Sequence, residues 1–292
     1  MITAQYGQNG ESRRTFRAGF GRQAVTVGCN NRAAAELAQV VCGDLILSDA
    51  ESTRAHYDIV AAGPMPMWSL WNDDRRLYFG ASAYQLAYML LNEIIYQCVA
   101  GNDTLYAIHA GAVHNGTKTI MLPGTSGSGK STLTGWLAGN GYYYLTDELV
   151  MVDSVGRLFP CMRPLVLKEW ASGPLLKTLA GHAASMVSDN KAAVVPHRLL
   201  NPVFSPTCPL LSHLIFPYYS GAAVTQVKSL SPARSLAKLL ECHVNARNFE
   251  KLGITGLSRL IQRCTSYSIE YSDIAQAERA IAELVAVAGA PR

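Results

Sequence analysis

Gly124-Thr125-Ser126-Gly127-Ser128-Gly129-Lys130-Ser131 fits the spacing G-x-x-x-x-G-K-[ST] at every fixed position. Each residue type has a chemical reason to be there. The glycines let backbone N–H groups turn inward toward phosphate oxygens. A helix that starts here, with Thr132 in its first turn, adds free N–H groups and a favourable dipole. Lys130 supplies a point charge for terminal phosphates, and the Ser131 hydroxyl is of the kind that ligates Mg²⁺. Asp147-Glu148 follows only 17 residues after Lys130. Two adjacent carboxylates beside a metal triphosphate can divide the work. One accepts a hydroxyl proton and the other binds the metal. His109 lies 15 residues before Gly124, beside an apolar strand where a structural role is the commoner one. Arg163 precedes Pro164 and has the fork geometry for phosphate.

Elements around these residues are legible from periodicity. Leu105–Ile108 and Ala112–His114 read as strands, Asn115-Gly116 as a hairpin turn, and Thr117–Leu122 as the returning strand. A helix over Ser131–Ala138 ends at Gly139-Asn140-Gly141. Tyr142–Leu145 reads as a packed strand that delivers the acidic pair. Leu149–Val152 and Leu158–Cys161 read as a hairpin around Val155-Gly156. Upstream, residues 1–78 show short strands and a helix at Ala33–Val41, and residues 81–99 form an apolar-faced helix. In the last third, Leu175–Ala180, Ala233–Leu240 and 274–287 read as helices and Leu210–Phe216 as a buried strand. Prolines make 196–232 loop-rich. The expectation is an α/β chain with a mixed sheet. It divides into an α+β region, residues 1–100, with a possible role in partner recognition, and a P-loop domain, residues 101–292.

The 292 residues include 49% hydrophobic and only 16% charged types, ample for a packed core. Against 21 Asp+Glu stand 25 Lys+Arg, a net charge of +4 with no basic run, so a nucleic-acid partner is not expected. The seven cysteines are scattered, with no C-x-x-C pair, which favours reduced thiols over a disulfide or zinc framework. The start of the chain lacks an apolar signal-type segment, and Ala81–Ala100 contains Gln85, Asn92, Glu93 and Gln97. The expectation is a cytoplasmic protein that does not span a membrane. Glu241-Cys242-His243 is not expected to share one ion, because adjacent side chains diverge.

The series His109-Ala110-Gly111, a hairpin, Gly124–Thr132, a short helix and Leu145-Thr146-Asp147-Glu148-Leu149 resembles the HPr kinase/phosphorylase family. It is most similar to the HPr-kinase-related proteins of peptide-modification clusters, including lasso-peptide kinases. The motif region covers about residues 105–170, and a weaker likeness runs to the end; Arg163-Pro164-Leu165 with Leu167-Lys168-Glu169, Phe216-Pro217, and Leu240-Glu241 with Asn245 and Arg247 look like stretches of the related kinases. It implies a P-loop core on a mixed sheet of the kind in phosphoenolpyruvate carboxykinase. The implied activity is ATP- and Mg²⁺-dependent phosphorylation of a seryl or threonyl hydroxyl on a peptide or protein. By the resemblance, Asp147 acts on the acceptor proton, Glu148 serves the metal, and His109 matches the histidine before the loop strand. A homo-oligomer is also suggested. Two departures stand out. Glu148 replaces a second Asp, and the glycine-rich signature after the acidic pair is absent. Kinase chemistry is therefore implied more strongly than HPr recognition or reverse phosphorolysis. The residues themselves leave two alternatives open: a small-molecule kinase, and a nucleotide-gated binding module without catalysis.

Overall fold

The computed structural model describes residues 3–6, 12–20, 23–45, 52–203 and 208–286. Chain order begins with β1 (Thr3–Tyr6), β2 (Ser12–Phe20), β3 (Gln23–Cys29), α1 (Arg32–Cys42), β4 (Ser52–Ala62), β5 (Met67–Asn72), β6 (Arg75–Gly80) and α2 (Ala83–Val99). Next come β7 (Tyr106–His114), β8 (Thr119–Pro123), α3 (Lys130–Gly139), β9 (Tyr143–Thr146), β10 (Leu149–Val152) and β11 (Leu158–Phe159). They are followed by β12 (Leu165–Lys168), α4 (Leu176–Leu179), β13 (Val187–Ser188) and β14 (Ala192–Val195). The last elements are β15 (His213–Tyr219), β16 (Gln226–Ser229), α5 (Pro232–Glu241), α6 (Ile254–Gln262), β17 (Thr265–Tyr271) and α7 (Ile274–Ala286). The structure is mixed α/β with mixed sheets. Among the described residues, no helix is long and apolar enough to cross a membrane.

Two compact units result. The first takes its described residues from 1–100 and 161–199, the second from 101–160 and 200–292. The sequence suggests one boundary near residue 100, with everything beyond it in the P-loop domain. The units share that boundary and differ over 161–199. The reason is packing: β14 sits between β12 and β13 in a three-stranded sheet, and both β13 and β14 lie against α2. Leu165, Leu167 and Ala193–Val195 are buried there.

In the first unit a six-stranded sheet runs β1-β2-β3-β4-β5-β6, antiparallel except for the β3–β4 pair. Helix α1 starts where the Asn31 side chain accepts from the Ala34 N–H at 3.0 Å, and α2 where Ser82 accepts from the Gln85 N–H at 3.2 Å. Helix α1 buries Ala34, Leu37, Ala38 and Val41. A polar clamp joins the end of α1 to the segment after β14. Asp44 meets fully buried His197 at 3.2 Å (Nε2 to Oδ2) and also pairs with the Arg198 guanidinium.

The second unit is built on a sheet ordered β11-β10-β7-β8-β15-β17-β16, with β9 also paired to β7. Strands β8, β15 and β17 are parallel to one another and the rest antiparallel. The two faces are covered separately. Ile108, Ala110, Ala112, Leu214 and Phe216 pack with Leu239 of α5 and Leu257, Leu260 and Ile261 of α6. Val113, Ile120, Leu122, Ile215 and Ile269 pack with Leu133 and Leu137 of α3 and Ala277 and Ile281 of α7. The period-two alternation along each strand divides these sets.

Two strand-like pieces expected around His109-Ala110-Gly111 are one continuous strand, β7. Gly111 reads as a break because glycine is rare inside strands, but here it serves close packing. A Cβ at Gly111 would overlap the hydroxyl of Thr134, a fully buried residue of α3.

Burial lowers the His197 pKa from 6.5 to about 4. Asp44 opposes the shift and Arg198 adds to it. A histidine kept neutral by the fold stabilises it above pH 6.5, where both states are neutral. That contribution is lost as pH falls toward 4, because only the unfolded chain then takes up the proton. Denaturant titrations of the first unit should show stability falling by up to about 3 kcal/mol between pH 6.5 and 4, with the slope reduced in His197→Gln. A pH-independent midpoint over that range would contradict it.

Candidate functional site

Strand β7 positions the site through its two edges. On one edge β8 pairs Ala110 with Pro123 and Gly111 with Leu122. On the other, β10 pairs Leu149 with His109, and β9 pairs Thr146 with Ala112. Between those two strands the chain bends at Asp147-Glu148 but keeps its register, and the Ala110 N–H donates to the Glu148 carbonyl at 3.1 Å; the extra residue of the pairing is Leu145. The phosphate-loop strand ends at Pro123 and the Gly124 N–H donates to the His109 carbonyl at 3.4 Å. Loop start and acidic pair therefore lie on opposite edges of one strand, about 10 Å apart through two strand spacings. Side chains from both can reach one ligand.

Where β8 leaves the sheet, another segment takes its place beside β7. The His109 N–H donates to the Cys242 carbonyl at 2.7 Å and the Val244 N–H to the Ala107 carbonyl at 2.8 Å. Asn245 locks this segment. Its side-chain oxygen accepts from the Ala107 N–H at 2.8 Å, and its amide donates to the carbonyls of Asn102 and Leu105 at 3.0 and 2.9 Å. Cys242 lies against the phosphate loop. Burial raises its thiol pKa, and the Lys130 charge and the Gly124 N–H oppose the rise.

The loop has the backbone that its glycines make possible. Gly127 and Gly129 stand at φ 87° and 91°, a region that favours glycine. A Cβ at Gly124 would meet the Ser128 hydroxyl at 2.6 Å. Thr125, Ser126 and Gly127 form the exposed rim, while Ser128 and Lys130 are buried beneath it and Ser131 and Thr132 are partly covered. Helices α1, α2 and α5 each begin with a side-chain cap, whereas α3, like α6, begins at a glycine with none. The first-turn N–H groups of α3 have no side-chain acceptor and are of the kind that can bind an anion. The Ser128 hydroxyl is buried and has no hydrogen-bond partner among the described residues. The Lys130 ammonium donates to the Thr125 carbonyl at 3.5 Å.

The acidic residues are placed differently from one another. Asp147 is fully buried and accepts a hydrogen bond from the Tyr144 hydroxyl at 3.1 Å (to Oδ1). The Glu148 side chain is 36% exposed, and its Oε1 is 3.6 Å from His109 Nε2, within ion-pair range. Strand period puts His109 on the same face as Gly111, the face that α3 covers. His109, Lys130, Ser131, Asp147 and Glu148 thus share the second unit. Arg163 belongs to the first unit, where it is buried and its Nε donates to the Pro164 carbonyl at 3.2 Å. Among the described residues, no group of three His, Cys, Asp or Glu side chains could hold a metal ion.

Sequence reasoning overlooked three neighbours of the loop and acids. Tyr144 reads only as a packed strand residue, because simple alternation puts it and Asp147 on opposite faces and only the extra residue at Leu145 changes that. Tyr219 and Tyr271 lie far along the chain, and only the parallel pairing of β15 and β17 brings them to the loop.

Gly111→Ala should cost about 2 kcal/mol by overpacking against Thr134, and adding Thr134→Ala should recover most of it, as urea titration of both variants would show. A single variant as stable as wild type would contradict the close approach of α3 to β7. No protein-family model matches this chain, and no curated protein matches it.

Proposed function

We propose that the chain is an ATP- and Mg²⁺-dependent kinase acting on a Ser or Thr hydroxyl of a peptide or protein. The core is then of the HPr-kinase and phosphoenolpyruvate-carboxykinase kind, and the lasso-type precursor peptide is the acceptor that the resemblance favours. The observation that carries this reading is the register of β7. It sets an uncapped helix start with a phosphate-loop sequence on one flank and a carboxylate pair on the other.

In this reading, N–H groups of Gly127 to Lys130 and the Ser128 hydroxyl hold phosphate oxygens, and the Lys130 ammonium offsets their charge. The Ser131 hydroxyl and the Glu148 carboxylate are hard oxygen donors suited to Mg²⁺, with phosphate oxygens and water completing its shell. When bound, Mg²⁺ neutralises charge on the terminal phosphates. Asp147 takes the proton of the acceptor hydroxyl as the new oxygen–phosphorus bond forms. The bond from that phosphorus to the β–γ bridging oxygen breaks, and ADP leaves. Tyr144 fixes the plane of the Asp147 carboxylate, and His109 steadies Glu148.

The full burial of Asp147 favours a second reading, in which the acid is structural and the chain only binds nucleotide. Transfer of label from γ-labelled ATP to Ser- and Thr-containing peptides separates the two. The kinase reading expects transfer that drops about 10²- to 10⁴-fold in Asp147→Asn while ATP binding persists. Undiminished transfer in that variant removes the role of Asp147. Binding without transfer to any peptide or small alcohol favours the second reading.

A further inference from the structure

The order of strands gives a bound nucleotide a direction. Strand β8 delivers the loop. On one side of β8 lie β7 and then the acidic bend between β9 and β10. On the other side lie β15 and β17, both parallel to β8. The carboxyl ends of these three parallel strands are Pro123, Tyr219 and Tyr271. Ligands of open α/β sheets bind at such strand ends. The transferable phosphate must face the acids, so the other end of the nucleotide must extend over β15 and β17.

That flank carries two tyrosines in contact with the loop. The Tyr219 N–H donates to the Ser128 carbonyl at 3.2 Å, and the Ser220 N–H to the Tyr271 carbonyl at 2.9 Å. A Cβ at Gly129 would lie 2.5 Å from the Tyr271 hydroxyl and 3.2 Å from the Tyr219 Cβ. The two rings meet edge to face, with centroids 5.7 Å apart and planes at 66°. Tyr271 is 1% exposed, whereas Tyr219 is 51% exposed. Burial pushes the Tyr271 phenol well up, with Tyr219 adding to the shift, so it stays a protonated donor. Two further bonds brace the corner. The Ser272 hydroxyl donates to the Ala223 carbonyl at 2.7 Å, and the Ala223 N–H to the Ser220 carbonyl at 2.9 Å.

We infer that the exposed ring of Tyr219, backed by Tyr271, is the stacking platform for the base of the nucleotide whose phosphates occupy residues 124–131. This rests on the phosphate-loop reading above and adds the place of the base, which lets the site select a nucleoside triphosphate over a bare polyphosphate. An aromatic face binds any base by stacking, which gives affinity for the nucleoside with modest choice among bases. The bond from the Tyr219 backbone to Ser128 does not depend on its side chain, so truncating the ring leaves the loop tethered.

Calorimetric titration with ATP and with inorganic tripolyphosphate, both with Mg²⁺, tests the inference in wild type, Tyr219→Ala, Tyr219→Phe and Lys130→Ala. The platform predicts that Tyr219→Ala weakens ATP about tenfold or more and leaves tripolyphosphate within about twofold. Tyr219→Phe should keep both affinities, and Lys130→Ala should weaken both. Equal loss of ATP and tripolyphosphate in Tyr219→Ala would mean that the ring only shapes the loop, and no loss of either would mean that it is idle; both overturn the platform. Failure of wild type to bind either compound would remove the phosphate-loop reading, and this inference with it.

Discussion

The second unit depends on a single strand being paired along both edges over nine residues. Strand β7 fixes the loop strand β8 by one set of hydrogen bonds and the acidic bend by another. A one-residue slip in either register would turn every side chain of the slipped strand to the opposite face. The pairing is reinforced where it is most exposed to failure. Where β8 turns away, Cys242–Val244 takes over its edge, and Asn245 satisfies three backbone groups at the start of β7. Gly111 lets α3 sit against β7 closely enough for Thr134 to fill the gap. The helix that carries Lys130 is thereby referred to the same strand as the carboxylates.

Charge is handled by burial in both units, in different ways. In the first unit, Asp44 draws together a buried histidine and an arginine and thereby ties α1 to the end of the small sheet. In the second, Asp147 is turned inward onto Tyr144 and Glu148 outward toward His109. The adjacent acids therefore occupy unlike surroundings, which suits the different roles proposed for them. Asp147, proposed as the proton acceptor, is held by a buried hydroxyl, and Glu148, proposed as the cation ligand, keeps access to water.

What the sequence reveals here follows from how local each signal is. The loop at 124–131 is legible because the role proposed for it resides in backbone conformation, and Gly124, Gly127 and Gly129 mark that conformation residue by residue. Helices α3 and α7 and the hairpin around Gly116 are legible for similar reasons of short-range periodicity and turn chemistry. Strand β7 reads as two pieces because the cause of Gly111 is Thr134, a contact between distant positions. Strands β12 and β14 are short and pair with each other across α4 and β13, so neither shows an alternation long enough to recognise. The same holds for the β17 strand, whose parallel partner lies across a helical crossover. Of the site residues, the adjacent acids are legible as a pair, but which of them is buried follows from their pairing with β7, which keeps one register from Thr146 to Leu149. The membership of Arg163 in the first unit likewise follows from where β14 packs, which no local pattern announces.

The proposed activity requires residues 124–131 to form a phosphate cradle. The most direct measurement is ³¹P NMR of ATP titrated with the folded protein in the presence of Mg²⁺. A cradle gives saturable shifts or broadening of the β- and γ-phosphate resonances at a 1:1 stoichiometry, lost in Lys130→Ala. Resonances unchanged at protein excess would contradict it.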